Sequence, residues 1–369
     1  MFLFERLVGV GTYSAILVIV CYLISRFKSN KSVRIVLFIY TIALALMGFF
    51  YVPYITADLY RIYEYLDFFR TFEFKAFLER YQDSSTLIAY IYYWLVSKTG
   101  ENRLLPAITA FISYSCIFYI FRKAKEKYNV SNKNFAIALF FYMSIGNYIY
   151  TISGIRTMLA VSLIAYCLFR ETVEKKFRLY HIVLYVIAAF MHNFAVVVIL
   201  IRLIIPLVSK SISALRRIAY IIFFAAISIF IALNMRELLD VVFEKADGYI
   251  GGNIYSYFWD YLIGAIVVVI SLIVLIKVRS KEYGEGELSQ MKVFSIVCIA
   301  LSLVFFFEFS IFHRLVTYVT AITVTPLVMV YLSKQETKNA QKLILFVSLV
   351  LLFVSCSRGS LCGLKFFVW

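Results

Sequence analysis

Read from its first residue, the chain alternates long apolar runs with short polar segments. The runs are about 15 to 20 residues long, the length a helix needs to cross a hydrocarbon core of roughly 30 Å. They predict twelve crossings, near 9–26, 35–52, 103–121, 134–150, 156–170, 180–192, 194–208, 218–233, 258–276, 292–309, 314–333 and 343–357. The expected fold class is therefore all-α, a polytopic integral membrane helix bundle forming a single transmembrane domain over 1–369, without internal repeat or disordered linker. "MFLFERLVGVGTY" has neither a basic leader nor a small-residue cleavage site, so the first helix is expected to stay.

Two stretches fit this scheme less simply. "STLIAYIYYWLVS", 85–97, is short for a span and rich in Tyr and Trp, which favour the membrane interface. It is expected to be a re-entrant or interfacial helix within a long outer segment, 53–103. Between 180 and 208 two helices share the space with only "HNF" to turn, and are expected to be short or partly inserted.

Composition explains the length of the runs. The chain is 63% hydrophobic and 18% aromatic, with mean hydropathy +0.87, an excess that a soluble core does not account for. Its net charge of +16 is unevenly placed. The segments 26–34, 122–133, 170–178, 209–217, 277–292 and 334–342, with Arg202, hold 24 Lys and Arg against 7 Asp and Glu, leaving 13 and 14 elsewhere. By the positive-inside rule those segments are cytoplasmic and both termini face outward. The basic excess is thus membrane topology, with lipid phosphates as counterions, and makes no case for nucleic acid. Cys21, Cys116, Cys167 and Cys298 lie in apolar runs without metal spacing; Cys356 and Cys362 alone are placed to form a disulfide.

This topology collects chemistry at the outer helix ends. Asp58 and Arg61 lie in "TADLYRIYEY"; Arg156 opens the fifth crossing; His192 and Asn193 form a turn; Glu308, His313 and Arg314 lie in "FFFEFSIFHRLVTY". An outer loop, 234–257, adds Arg236, Asp240, Glu244, Lys245 and Asp247. Each has an ordinary explanation: arginines snorkel, Asp58 with Arg61 and Glu308 with Arg314 can be local pairs, the tyrosines can be an aromatic belt, and His192 can be an interfacial histidine. Against these stands the asymmetry of charge, since the helices already have cytoplasmic anchors. The helix interiors are clean of charge, whereas an ion-coupled transporter places ionisable groups near the midplane.

"ADLYRIYEY", then "SGIRTMLAVSL" followed by "AAFMHNFAVVVI", and later "HRLVTYV", resemble the EpsG group of Wzy-type bacterial polysaccharide polymerases over roughly 5 to 335. The resemblance implies a GT-C-like bundle transferring glycosyl groups at the outer face of the plasma membrane. Donor and acceptor would be oligosaccharides on undecaprenyl pyrophosphate, without metal or cofactor. Membrane lipid, a chain-length regulator and a flippase would be partners. On this footing Arg156 and Arg314, with Arg61, neutralise the leaving pyrophosphate, and Asp58 or His192 accepts the acceptor's proton. Tyr60, Tyr63 and Tyr65 meet sugar faces, and Asn193, His313 and Glu308 bind substrate. Two departures are visible: "NF" follows His192 where a small hydroxyl residue is commoner, and "RYQDSS" stands where many relatives carry a Glu. An O-acyltransferase using His192 or His313, a lipid-linked oligosaccharide flippase and a structural subunit remain open beside this expectation.

Overall fold

The computed structural model describes residues 2–55, 57–145, 147–208, 258–278, 287–306, 308–321, 325–334, 338–357 and 364–366. The predicted crossing at 218–233, the loop 234–257 and Cys362 lie outside the described residues. Cys356 Sγ sits 3.9 Å from Ser14 Oγ. Apart from an isolated bridge between Tyr51 and Phe366, the described residues form helices and their connections.

Two long helices, α1 (Phe2–Arg26) and α2 (Asn30–Phe49), open the chain. Ser29 starts the second by accepting the Lys31 N–H at 3.1 Å, the side-chain cap that a helix N-terminus needs. Three short helices follow, α3 (Asp58–Phe69), α4 (Phe74–Tyr81) and α5 (Leu87–Ser97). Then come α6 (Leu104–Lys127), α7 (Asn132–Ser144), α8 (Asn147–Ser153), α9 (Ile155–Thr172), α10 (Leu179–Met191) and α11 (Phe194–Val208). The remainder comprises α12 (Phe258–Lys277), α13 (Glu287–Val304), α14 (Phe309–Val319), α15 (Thr325–Lys334) and α16 (Lys338–Ser357).

Among the described residues five helices are long and apolar enough to cross a membrane: α1 from Leu7, α2, α6, α12 and α16. Another expected crossing is broken: the run 134–150 is split between α7 and α8, while in 314–333 residues 322–324 lie outside the described residues. The break falls at "SIGN", 144–147, where a glycine and an asparagine interrupt an otherwise apolar run. The stretch 85–97 yields the 11-residue α5, about 16 Å long and so too short to cross alone. At 13 residues, α10 is also short.

Burial sorts the helices by position. In α7 every side chain from Asn134 to Ser144 is buried, as expected of a helix apolar all round at the centre of a bundle. The long helices α1, α2 and α16 instead show large apolar side chains outward: Ile19 is 56% exposed, Ile39 59% and Phe353 72%. In a membrane protein such faces are lipid contacts. Several polar atoms inside are paired across the bundle: the Tyr13 hydroxyl donates to Met143 O at 2.7 Å, Tyr148 to Leu44 O at 3.0 Å, and Asn134 Nδ2 to Leu332 O at 3.0 Å.

At one end, α3 to α5 fold into a cap. Phe69 is its centre, its ring 5.3 Å from both Phe77 and Tyr81. Lys98 Nζ closes the end of α3 by donating to Phe72 O at 2.6 Å and Arg70 O at 3.0 Å, a cation placed where a helix dipole is negative. A short C-terminal strap, 364–366, lies beside it: Val52 N–H donates to Lys365 O at 2.9 Å, and Gly9 of α1 is packed so closely on Leu364 O that a Cβ would collide.

The opposite end gathers basic segments expected to be cytoplasmic. Lys125 Nζ donates to Asn30 Oδ1 at 2.5 Å, and Lys127 Nζ donates to Val173 O. A polar network sits in the same end. Arg170 donates to Glu174 Oε2 at 3.2 Å and to Tyr166 OH at 2.7 Å, while Arg202 Nε donates to Glu171 Oε2 at 2.8 Å. His181 is fully buried beside them, 3.9 Å from Glu171.

Candidate functional site

The cap end is where α8 breaks into α9. Gly154 occupies the break, donating to Tyr150 O at 2.8 Å. A Cβ there would stand 2.9 Å from the same carbonyl oxygen, so close approach of backbone to backbone requires glycine. Two residues on, Arg156 lies in the first turn of α9, which has no acidic residue. A cation at this end adds to the positive pole of the helix and is disfavoured until an anion arrives. Arg156 is exposed, and among the described residues its guanidinium makes no ion pair or hydrogen bond.

His192 lies in the turn between α10 and α11. The Phe194 N–H donates to its Nδ1 at 3.2 Å, which places the ring proton on Nε2. Its pKa is lowered from 6.5 to about 3, first by burial, then by Arg314 and Arg156. The imidazole is neutral at physiological pH and presents an N–H, having spent its lone pair on the backbone. It is built to donate to a ligand and not to accept a proton.

Arg314 arrives from α14. Its guanidinium lies 6.0 Å from the centre of the Phe194 ring and makes no ion pair among the described residues; the local pair with Glu308 does not form. Neighbouring His313 is held by ring contacts instead, 4.0 Å from Tyr150 and 5.4 Å from Phe309. Glu308 precedes α14 without capping it.

Asp58 begins α3 and pairs with Arg61 one turn later; both are largely exposed. Such a pair is worth about 0 to 1 kcal/mol. Both Asp58 and Arg156 lie within electrostatic reach of Tyr93 on α5. The pattern of an aspartate, two unpaired arginines and a neutral histidine at one end of a membrane bundle suits an anionic ligand that is partly withdrawn from water.

A family pattern matches residues 63–361. The chain belongs to the EpsG family. No curated protein and no solved structure matches it. Within this EpsG-family chain the other expected residues lie as follows. Tyr60 is half-buried on α3. Tyr63 lies within electrostatic reach of Glu101 and Arg103. Asn193 is engaged in structure, its Nδ2 donating to Ser85 Oγ at 3.0 Å and tying the turn to the cap. Among the described residues no group of three or more His, Cys, Asp or Glu is arranged to hold a metal.

Tyr90 and Tyr93, near Arg156, and Tyr150 and Phe194 were not singled out by sequence reasoning. The first two sit in "AYIYYW", whose richness in aromatics reads as an interfacial anchor.

Proposed function

We propose that this EpsG-family chain is a membrane polysaccharide polymerase, a glycosyltransferase with a GT-C-like mechanism, working at the outer face of the plasma membrane. Donor and acceptor are oligosaccharide repeats on undecaprenyl pyrophosphate. The observation that carries this is the pair of arginines, Arg156 and Arg314, that have no carboxylate partner among the described residues and both act on the neutral imidazole of His192. Two fixed guanidinium forks and one N–H donor match a departing pyrophosphate and do so without a metal.

In the step itself the acceptor hydroxyl oxygen bonds to the donor's anomeric carbon as the bond from that carbon to the phosphate oxygen breaks. The bonding pair leaves with the lipid pyrophosphate, toward Arg156 and Arg314. The hydroxyl proton goes to a carboxylate, and Asp58 is assigned that role because the lone pair of His192 Nδ1 is occupied by the Phe194 N–H. Asp58 must turn from Arg61 to do so, which an exposed pair permits.

Purified protein supplied with lipid-linked repeats tests the proposal. A ladder of lengthened glycan supports it; movement of repeats between leaflets without lengthening indicates a flippase, and a mass gain of one acyl unit an acyltransferase. Neither of the latter outcomes is compatible with the polymerase.

A further inference from the structure

α3 has a second face. Leu59, Ile62, Leu66 and Phe69 are buried in the cap, while Arg61, Glu64, Tyr65 and Phe68, spaced to share the opposite face, line a groove of about 320 Å³. Tyr65 is 48% exposed and Phe68 44%. Their rings are nonetheless braced: Tyr65 lies 6.1 Å from Phe69, Phe68 lies 4.8 Å from Phe72, and the Arg80 guanidinium covers Phe68 at 5.5 Å. Asp58 takes part of the Arg61 fork, and a guanidinium carries further donors. Glu64 makes no ion pair among the described residues.

We propose that this groove is a separate oligosaccharide-binding site that holds the glycan chain beside the arginine centre. Chemistry selects the occupant. A sugar offers hydroxyls that both donate and accept, for Arg61 and Glu64, and a C–H face for Tyr65 and Phe68. A lipid phosphate would meet the negative charge of Glu64, and an acyl chain would bury two charges without compensation. The lining from Arg61 to Phe68 rises about 10 Å along the helix, the reach of a short oligosaccharide. Tyr93 of α5 feels both Asp58, where the helix begins, and Arg156; α3 therefore starts near the arginine centre and runs from it along the cap. That the glycan reaches this groove as a growing chain rests on the polymerase proposal.

The test uses the full-length protein in detergent and, as probe, the lipid-free oligosaccharide released by mild acid from the cell's own lipid-linked repeats. Binding is read by saturation-transfer NMR, with co-purifying lipid counted by mass spectrometry. Tyr65→Ala and Phe68→Ala are each expected to weaken binding about tenfold, and Glu64→Gln to weaken it measurably. Arg156→Ala is expected to bind the probe as the unaltered protein does while failing to lengthen glycan. Unchanged binding in the groove variants overturns the site, as does loss of binding in Arg156→Ala, which would mean one site. A change in co-purifying lipid with unaltered glycan binding also overturns it and makes the groove a lipid seat. Glycan binding through the groove in a protein that lengthens nothing upholds the site and removes the polymerase proposal.

Discussion

Arg156 and Arg314 stand on different helices, α9 and α14, and both press their positive fields on the imidazole of His192. Neither has a carboxylate to neutralise it among the described residues. Three elements distant in sequence thus converge on one place suited to negative charge.

Removal of either guanidinium should be costly to the reaction and cheap to the fold. Arg156→Ala and Arg314→Ala are each expected to lower the rate of glycan lengthening by about 10² to 10³, the range for losing one preorganised donor to a developing anion. Lysine at either position should rescue poorly, because a point charge does not replace a planar fork. Quantified ladders at equal protein level in the membrane check this, and a normal ladder from Arg156→Ala would remove its assigned role.

His192 carries a signature in pH. Its folded pKa, about 3, lies below the 6.5 of a free imidazole, so between those values the unfolded chain binds more protons than the folded one. Its contribution to stability is therefore complete above pH 6.5 and is lost as pH falls toward 3. Thermal unfolding in detergent at pH 7 and pH 5 should show His192→Gln losing less stability on acidification than the unaltered protein. Equal losses would show that the imidazole is not desolvated.

At the opposite end of the bundle, Glu171→Ala removes the carboxylate that accepts from half-buried Arg202. A loss of about 3 kcal/mol is expected. Replacing Glu171 and Arg202 together by leucine should restore much of it, since no charge is then stranded. Asp58→Asn, at the exposed pair, should change stability by less than about 1 kcal/mol. Denaturation midpoints of the three variants decide the matter, and similar values for all would contradict the burial difference.

Gly154→Ala tests the joint that aims Arg156. The new Cβ, 2.9 Å from Tyr150 O, forces α8 and α9 apart. Membrane insertion should be retained while glycan lengthening drops about tenfold or more, as small misplacements of a positioning group do. Activity equal to the unaltered protein would show that the start of α9 tolerates the shift.

The membrane class, the long helices and the clustering of basic segments at one end were legible in the sequence, because hydropathy over a long window and the placement of Lys and Arg are local quantities. The breaks were not. Between α7 and α8 the glycine and asparagine of "SIGN" are outweighed by the apolar residues around them, and the glycine of "SGIR" marks the later break in the same local way. Arg156, His192 and Arg314 were each recognisable as cations or histidines at helix ends, but their convergence depends on how α9, α10 and α14 pack. The donor character of His192 depends on a backbone N–H two residues away, which no residue pattern encodes. Asp58 with Arg61 was the reverse case: three apart on a helix, they made the local pair that spacing alone suggested.

The strap at 364–366 has a consequence for biogenesis. α1 leaves the ribosome well before the strap, so Gly9 awaits Leu364 while the helices between them are made. Until then the segment after α2 lacks the hydrogen bond from Val52 to Lys365, and a face of α1 stands open in the bilayer. Closing of this face of α1 is thus a late step that an early helix waits for.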